Sequence, residues 1–239
     1  MKRLFPTLLL PLCLLQACGT SRVVLQRDHV PEATVVGRFT VIMQTNEAEE
    51  AEELADTHPV TIMLELAELG ITLEQAKKLV AAGFIPPRYR RLVDGLYEVV
   101  SHTLEDRLGL RLLPVDYLRG KVPYNAVGYP QGPVERLAAS GAYASVLGVW
   151  MSVKCSRSSI TVLDRTTYKI YPELTLQVEL RGRGGRLLWR DKEKTEAYAP
   201  HEFEEPFVFE AYLVSETFNN AVRKLAEQTL EKILLRSVR

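Results

Sequence analysis

The clearest hydrophobic period in the chain runs from Arg88 to Leu108, where Leu92, Leu96, Val100, Leu104 and Leu108 recur every four residues beside Val93 and Val99. That spacing lays an apolar stripe along one side of a helix, and Gly109 supplies its stop. A period of two follows later: Tyr168, Ile170, Leu174, Leu176, Val178 and Leu180 fall on one face, and Lys169, Glu173, Thr175, Gln177, Glu179 and Arg181 on the other. This predicts a strand with one packed and one wet side.

Around these two anchors the weaker patterns fall into place. The β-branched run 35–43 predicts a buried strand, Leu110–Val115 a second one, and 143–156 a third, buried on both faces where it starts. Short helices are expected over 60–69, over 73–83 with a capping pattern at Thr72 and Gln75, and near 134–140. The acidic stretch 47–56 reads as a solvated helix face. Arg181-Gly182-Arg183-Gly184-Gly185 is a hairpin turn into Leu187-Leu188-Trp189, and Val214, Phe218, Val222, Leu225 and Ile233 line a closing helix with a basic end. Strand, helix, strand in this order calls for a βαβ crossover. The expectation is an α/β (α+β) fold: a mixed sheet of about five strands with a βαβ crossover, a C-terminal antiparallel hairpin and packed helices.

The amino-terminal pattern is of another kind. Lys2 and Arg3 precede an apolar stretch, Leu4 to Leu15, which has the length of a signal-peptide core and is too short to span a bilayer. It ends in Leu15-Gln16-Ala17-Cys18, which resembles the lipobox of bacterial lipoproteins. That resemblance makes 1–17 a signal peptide and Cys18 the lipidated first residue of the mature chain. Gly19 stands where many such proteins carry a retention aspartate, so it implies the periplasmic face of the outer membrane as the location. Residues 18–34 then read as a lipidated tether and 35–239 as one periplasmic domain, with the corollary that a chain beginning near residue 30 folds unaided.

Of 239 residues, removal of 17 leaves 222 and discards two of the 30 basic residues against 30 acidic ones, so the mature chain carries a charge of −2. That balance does not suit nucleic acid. Cys13 leaves with the signal and Cys18 is acylated, so Cys155 has no partner for a disulfide; alternation places it on the apolar side of its strand, as a buried thiol. His29, His58, His102 and His201 show no metal-ligand spacing, and His201-Glu202-Phe203-Glu204-Glu205 reads as a solvated acidic loop. The chain also lacks a nucleophile elbow, a phosphate-binding loop and a dinucleotide fingerprint, so no catalytic residue and no cofactor is assigned.

One connection stands apart. Residues 119–133 are rich in turn formers and contain Tyr124, Asn125 and Tyr129, which are the candidates for partner contact because tyrosine joins a large apolar area to a polar tip. The alternative for this loop is a cover packed over the sheet. On the first reading, replacing both tyrosines with alanine leaves the fold intact.

The phrase Gly-Ala-Tyr-Ala-Ser-Val-Leu-Gly-Val at 141–149, followed by Leu-Arg-Gly-Arg-Gly-Gly-Arg-Leu-Leu-Trp-Arg at 180–190, resembles the periplasmic α/β domain of the TolB amino-terminal, LpoB-type and curli-secretion CsgG-like families. Tyr143 stands where those families carry an acidic residue, and 46–86 has no counterpart in them. The resemblance implies non-enzymatic envelope work: an adaptor or accessory lipoprotein docked on an envelope protein partner and held to the membrane by its lipid. The alternatives are a subunit of a curli-channel-like secretion assembly and an envelope enzyme. A channel needs lipid-facing apolar rows, which the arm 187–196 interrupts with Asp191 and Glu193.

Overall fold

The computed structural model describes residues 22–46, 89–162, 165–203 and 212–239. Cys18, the acidic stretch 47–56 and the helices expected over 60–83 lie outside the described residues.

Strand β1 spans Ala33–Asn46, helix α1 Arg90–Leu108, β2 Arg111–Leu112, α2 Val134–Ala139, β3 Ser145–Val162, β4 Arg165–Gly182, β5 Leu187–Glu196, β6 His201–Phe203 and α3 Glu216–Ser237. The sheet order is β2-β1-β3-β4-β5, with β6 also paired to β4. β1 lies parallel to both β2 and β3, while β3, β4 and β5 run antiparallel. The fold is therefore the mixed α/β sheet that the patterns call for, with a parallel crossover at one edge and a meander at the other.

The four-residue stripe of α1 is what seats that helix. Leu92, Leu96, Val100 and Leu104 are all buried, and α1 ends at Gly109, whose φ of 69° is a left-handed conformation open to glycine at little cost. α3 begins at Ser215, whose hydroxyl accepts the Phe218 N–H at 3.1 Å and satisfies one of the free amides of the first turn. Both helices lie on one face of the sheet and bury Phe218, Val222, Leu225, Leu230 and Ile233 against Val149, Met151, Val153 and Cys155 of β3 and the alternating row of β4. Cys155 is fully buried, as alternation places it, and burial pushes its thiol up to about 12. The other face carries a smaller cluster, Val134, Ala138 and Val146 with Leu137, Tyr143 and Trp150 against it.

Several boundaries differ from those expected, each for a local reason. β3 and β4 continue past the last β1 pair, Asn46 with Ser156, to the pair Val162 with Arg165, at first with β6 beside β4 and beyond Tyr168 as a two-stranded ribbon. Ser158, Ser159 and Thr161 are exposed there, so both faces are wet and no alternation marks the strand. Leu110–Val115 yields only a two-residue strand, because Pro114 has no N–H for a ladder and a 3₁₀ turn follows at Val115–Leu118. His201–Phe203 is a short strand paired to 168–170 instead of a loop, with the His201 ring stacked on Tyr212 at 4.1 Å.

The largest correction concerns the segment read as a tether. Val23 exchanges backbone bonds with Arg190, the Leu25 N–H donates to the Ser237 carbonyl at 2.8 Å, and the Arg239 N–H donates to the Leu25 carbonyl at 3.0 Å. Leu25 is 0% exposed. The packed unit thus begins at about Val23 and not at residue 35. A charged latch holds the same region: the Arg236 guanidinium spans both carboxylate oxygens of Asp191 at 2.8 and 2.9 Å and also bonds Glu193, while Arg22 approaches Asp191 at 3.7 Å. Burial opposes ionisation of Asp191, yet the Arg236 guanidinium and the Lys192 amide hold its carboxyl below the ordinary carboxylate range.

Candidate functional site

The connection 119–133 crosses the edge of β1 and is built as a small hairpin of its own. The Gln131 N–H donates to the Pro123 carbonyl and the Asn125 N–H to the Tyr129 carbonyl, at 2.8 and 2.9 Å. Asn125 Oδ1 in turn accepts the Tyr129 N–H at 2.9 Å, which closes the tip around Gly128, with its φ of 94°. The loop then pairs with β1: the Phe39 N–H donates to the Pro130 carbonyl at 3.0 Å and the Gly132 N–H to the Gly37 carbonyl at 2.9 Å. Gln131 completes the joint, donating from Nε2 to the Phe39 carbonyl and accepting the Thr40 hydroxyl on Oε1, each at 2.7 Å.

This pairing explains the length of the loop. Beyond its two residues paired to β2, β1 presents an open edge, and segment 130–132 occupies part of it, as folds do to keep free strand edges from pairing with other chains. Glycines sit on both sides of this joint: at Gly37, where the β1–β3 register shifts, a Cβ would stand 2.5 Å from Val146 Cγ1 of β3, and on the loop a Cβ at Gly132 would stand 3.1 Å from the Gly37 carbonyl.

The three candidates divide accordingly. Tyr129 points inward and is 6% exposed, so the expectation of an exposed contact tyrosine does not hold for it. Its ring lies 5.1 Å from Phe39 and 5.2 Å from Tyr97, and its hydroxyl donates to Asp94 Oδ1 at 2.8 Å. Burial and then the neighbouring carboxylate drive the Tyr129 phenol far above its ordinary value, and burial alone pushes Tyr97 up to about 12. Asn125 is half-buried and serves the turn. Tyr124 is half-buried, donates to the Val115 carbonyl at 2.8 Å and has the Arg119 guanidinium 5.2 Å from its ring centre. The covering role is thus met by Tyr129 and Asn125, and only Tyr124 keeps part of its ring at the surface.

Beside Tyr124 the structure assembles residues the sequence did not single out. Tyr117, 48% exposed, meets Tyr143 edge to face at 6.3 Å, and Lys121 Nζ stands 5.5 Å from the Tyr117 ring and 5.9 Å from the Tyr143 ring. The only signal for this grouping is Tyr143 in the phrase 141–149, and nothing in linear order ties it to Tyr117. A shallow recess of about 250 Å³ adjoins, lined by Arg90, Asp94, Asp116, Arg119 and the Tyr129 edge; its mixed charges do not select a single ligand sign. Among the described residues no group of histidine, cysteine and carboxylate side chains is arranged to hold a metal.

No family model matches the chain, and no curated protein does. Among solved structures, it is similar to a hypothetical protein from Chlamydia trachomatis, at 12% identity over 85% of this chain and 95% of that one, with a TM-score of 0.32.

Proposed function

We propose that this chain is an outer-membrane-anchored periplasmic lipoprotein that acts as a non-enzymatic adaptor, and that it meets its envelope partner through Tyr117, Lys121 and Tyr143, with Arg119 and Tyr124 alongside. The observation that carries the contact surface is the exposed stack of cations over tyrosine rings. Tyrosine and arginine dominate the residues on which protein interfaces depend, and a pre-set ring costs little entropy when a partner covers it. The anchor rests on Leu15-Gln16-Ala17-Cys18.

Each half has its own test. Tyr117→Ala combined with Lys121→Glu is expected to lower crosslinked partner recovery from cells about tenfold, while the unfolding midpoint moves by no more than a few degrees, since both side chains lie at the surface. Unchanged recovery would place the interface elsewhere. Cys18→Ser is expected to remove fatty-acid labelling and leave the precursor uncut, because the thiol is the acyl acceptor; normal labelling of that variant refutes the anchor. The secretion-channel alternative draws no support from the described part of the β3 and β4 ribbon, where exposed Ile160 stands among exposed Ser158, Ser159, Thr161 and Arg165.

A further inference from the structure

The docking of residues 23–27 changes what a lipid on Cys18 would do. Only Gly19, Thr20 and Ser21 separate Cys18 from Arg22, a reach of at most about 14 Å when fully extended. A folded unit of this length has a radius of gyration of about 17 Å, so such a tether is shorter than the body it holds. An acylated Cys18 therefore selects which side of the protein faces the bilayer.

The side it selects is formed by the last turns of α1 and α3 and the docked segment. Arg27, Arg107, Leu108, Glu231, Leu235 and Val238 surround an open groove of about 380 Å³ there. Leu235 is 86% exposed, an uncommon state for a large aliphatic side chain on a packed helix. Arg27 and Arg107 are exposed at the groove, and Arg22 is exposed further along the docked segment, beside Asp191. Its acidic groups are Asp28, Glu105 and Asp106, all exposed, and Glu231, held by Arg107 at 2.5 Å, so Arg27 is the cation there with no carboxylate on it among the ion pairs of the described residues. Leucine flanked by arginines suits the boundary of acyl chains and phosphate headgroups, where the apolar side chain enters and the cations stay with the anionic lipid. Tyr143 of the partner patch packs on the opposite face of the sheet from α1 and α3 and remains clear of this surface.

We infer that the groove side around Leu235, Arg27 and Arg107 rests on an anionic phospholipid surface, which fixes the β3–β4 ribbon pointing away from the membrane. Arg190 joins Val23 to β5 and faces Glu179 of β4, and from Glu179 to the ribbon end at Arg165 the strand runs about 46 Å. The inference depends on acylation of Cys18, so the test separates the two.

The mature protein would be purified from cells, the mass of its amino-terminal peptide measured, and the protein placed in vesicles of phosphatidylcholine with or without phosphatidylglycerol. An environment-sensitive thiol probe on Leu235→Cys or on Ser159→Cys is then exposed to a lipid-borne quencher; Cys155 is buried and stays unlabelled. The expected result is an acylated peptide, quenching several-fold stronger at position 235 than at 159, and a further rise with phosphatidylglycerol that Arg27→Glu with Arg107→Glu removes. Acylated protein with equal quenching at the two positions overturns the orientation alone. A peptide without acyl mass overturns the lipoprotein reading and the orientation with it.

Discussion

Leu25→Ala is expected to destabilise the protein by about 2–5 kcal/mol, the range for deleting a fully buried leucine, and to lower the unfolding midpoint by about 5–15 °C for a chain of this size. The reason is that Leu25 is wholly enclosed, in a segment pinned by backbone bonds to Arg190, Ser237 and Arg239. Removing residues 18–29 is expected to do more, since it opens the same gap and also withdraws Arg22 from the Asp191 carboxylate and leaves the carbonyl of Arg190 without its Val23 partner. Calorimetry on Leu25→Ala decides between the two readings of this region. An unchanged midpoint restores the free tether and a domain that starts near residue 35.

The reason the sequence suggests a spacer at 19–34 is instructive about which kinds of order leave a trace. Helix α1 and strand β4 each turn the same face to the core many times over, so their burial repeats at 3.6 or 2 residues and is visible as a pattern. Residues 23–27 meet the fold through two isolated bridges, to Arg190 and to Val238, and only Leu25 enters the core. One buried residue has no period. The ribbon at 158–161 fails in the opposite way, because successive residues there are exposed on both faces and regular structure imposes no hydrophobic alternation. The candidate site was legible as a place, the loop 119–133, but not in its inward and outward sides. Tyrosine is as much at home under a loop as on it, and the choice depends on Asp94, Phe39 and Tyr97, which come from α1 and β1.

That choice can be measured at Tyr129. Tyr129→Ala is expected to cost about 3–5 kcal/mol, as for other buried aromatic truncations, and to lower the midpoint by about 6–20 °C. The ring is 6% exposed and completes a triangle with Phe39 and Tyr97 whose centroid distances are 5.1–5.3 Å. Tyr129→Phe keeps the ring and loses only the hydroxyl bond to Asp94, a carboxylate that remains 46% exposed and can turn to water, so its expected cost is about 1 kcal/mol. Tyr124→Ala gives a second comparison, because that ring is half-buried and its hydroxyl bonds the backbone of the preceding turn, donating to the Val115 carbonyl. The expected order of midpoints is wild type, Tyr129→Phe, Tyr124→Ala, then Tyr129→Ala well below the rest. If Tyr129→Ala instead unfolds with the wild type and partner recovery falls, the tyrosine belongs to the interface and the loop is not the cover of β1. A large drop in the midpoint assigns any loss of recovery in that variant to unfolding, and leaves Tyr117 and Lys121 as the positions where contact is tested without disturbing the core.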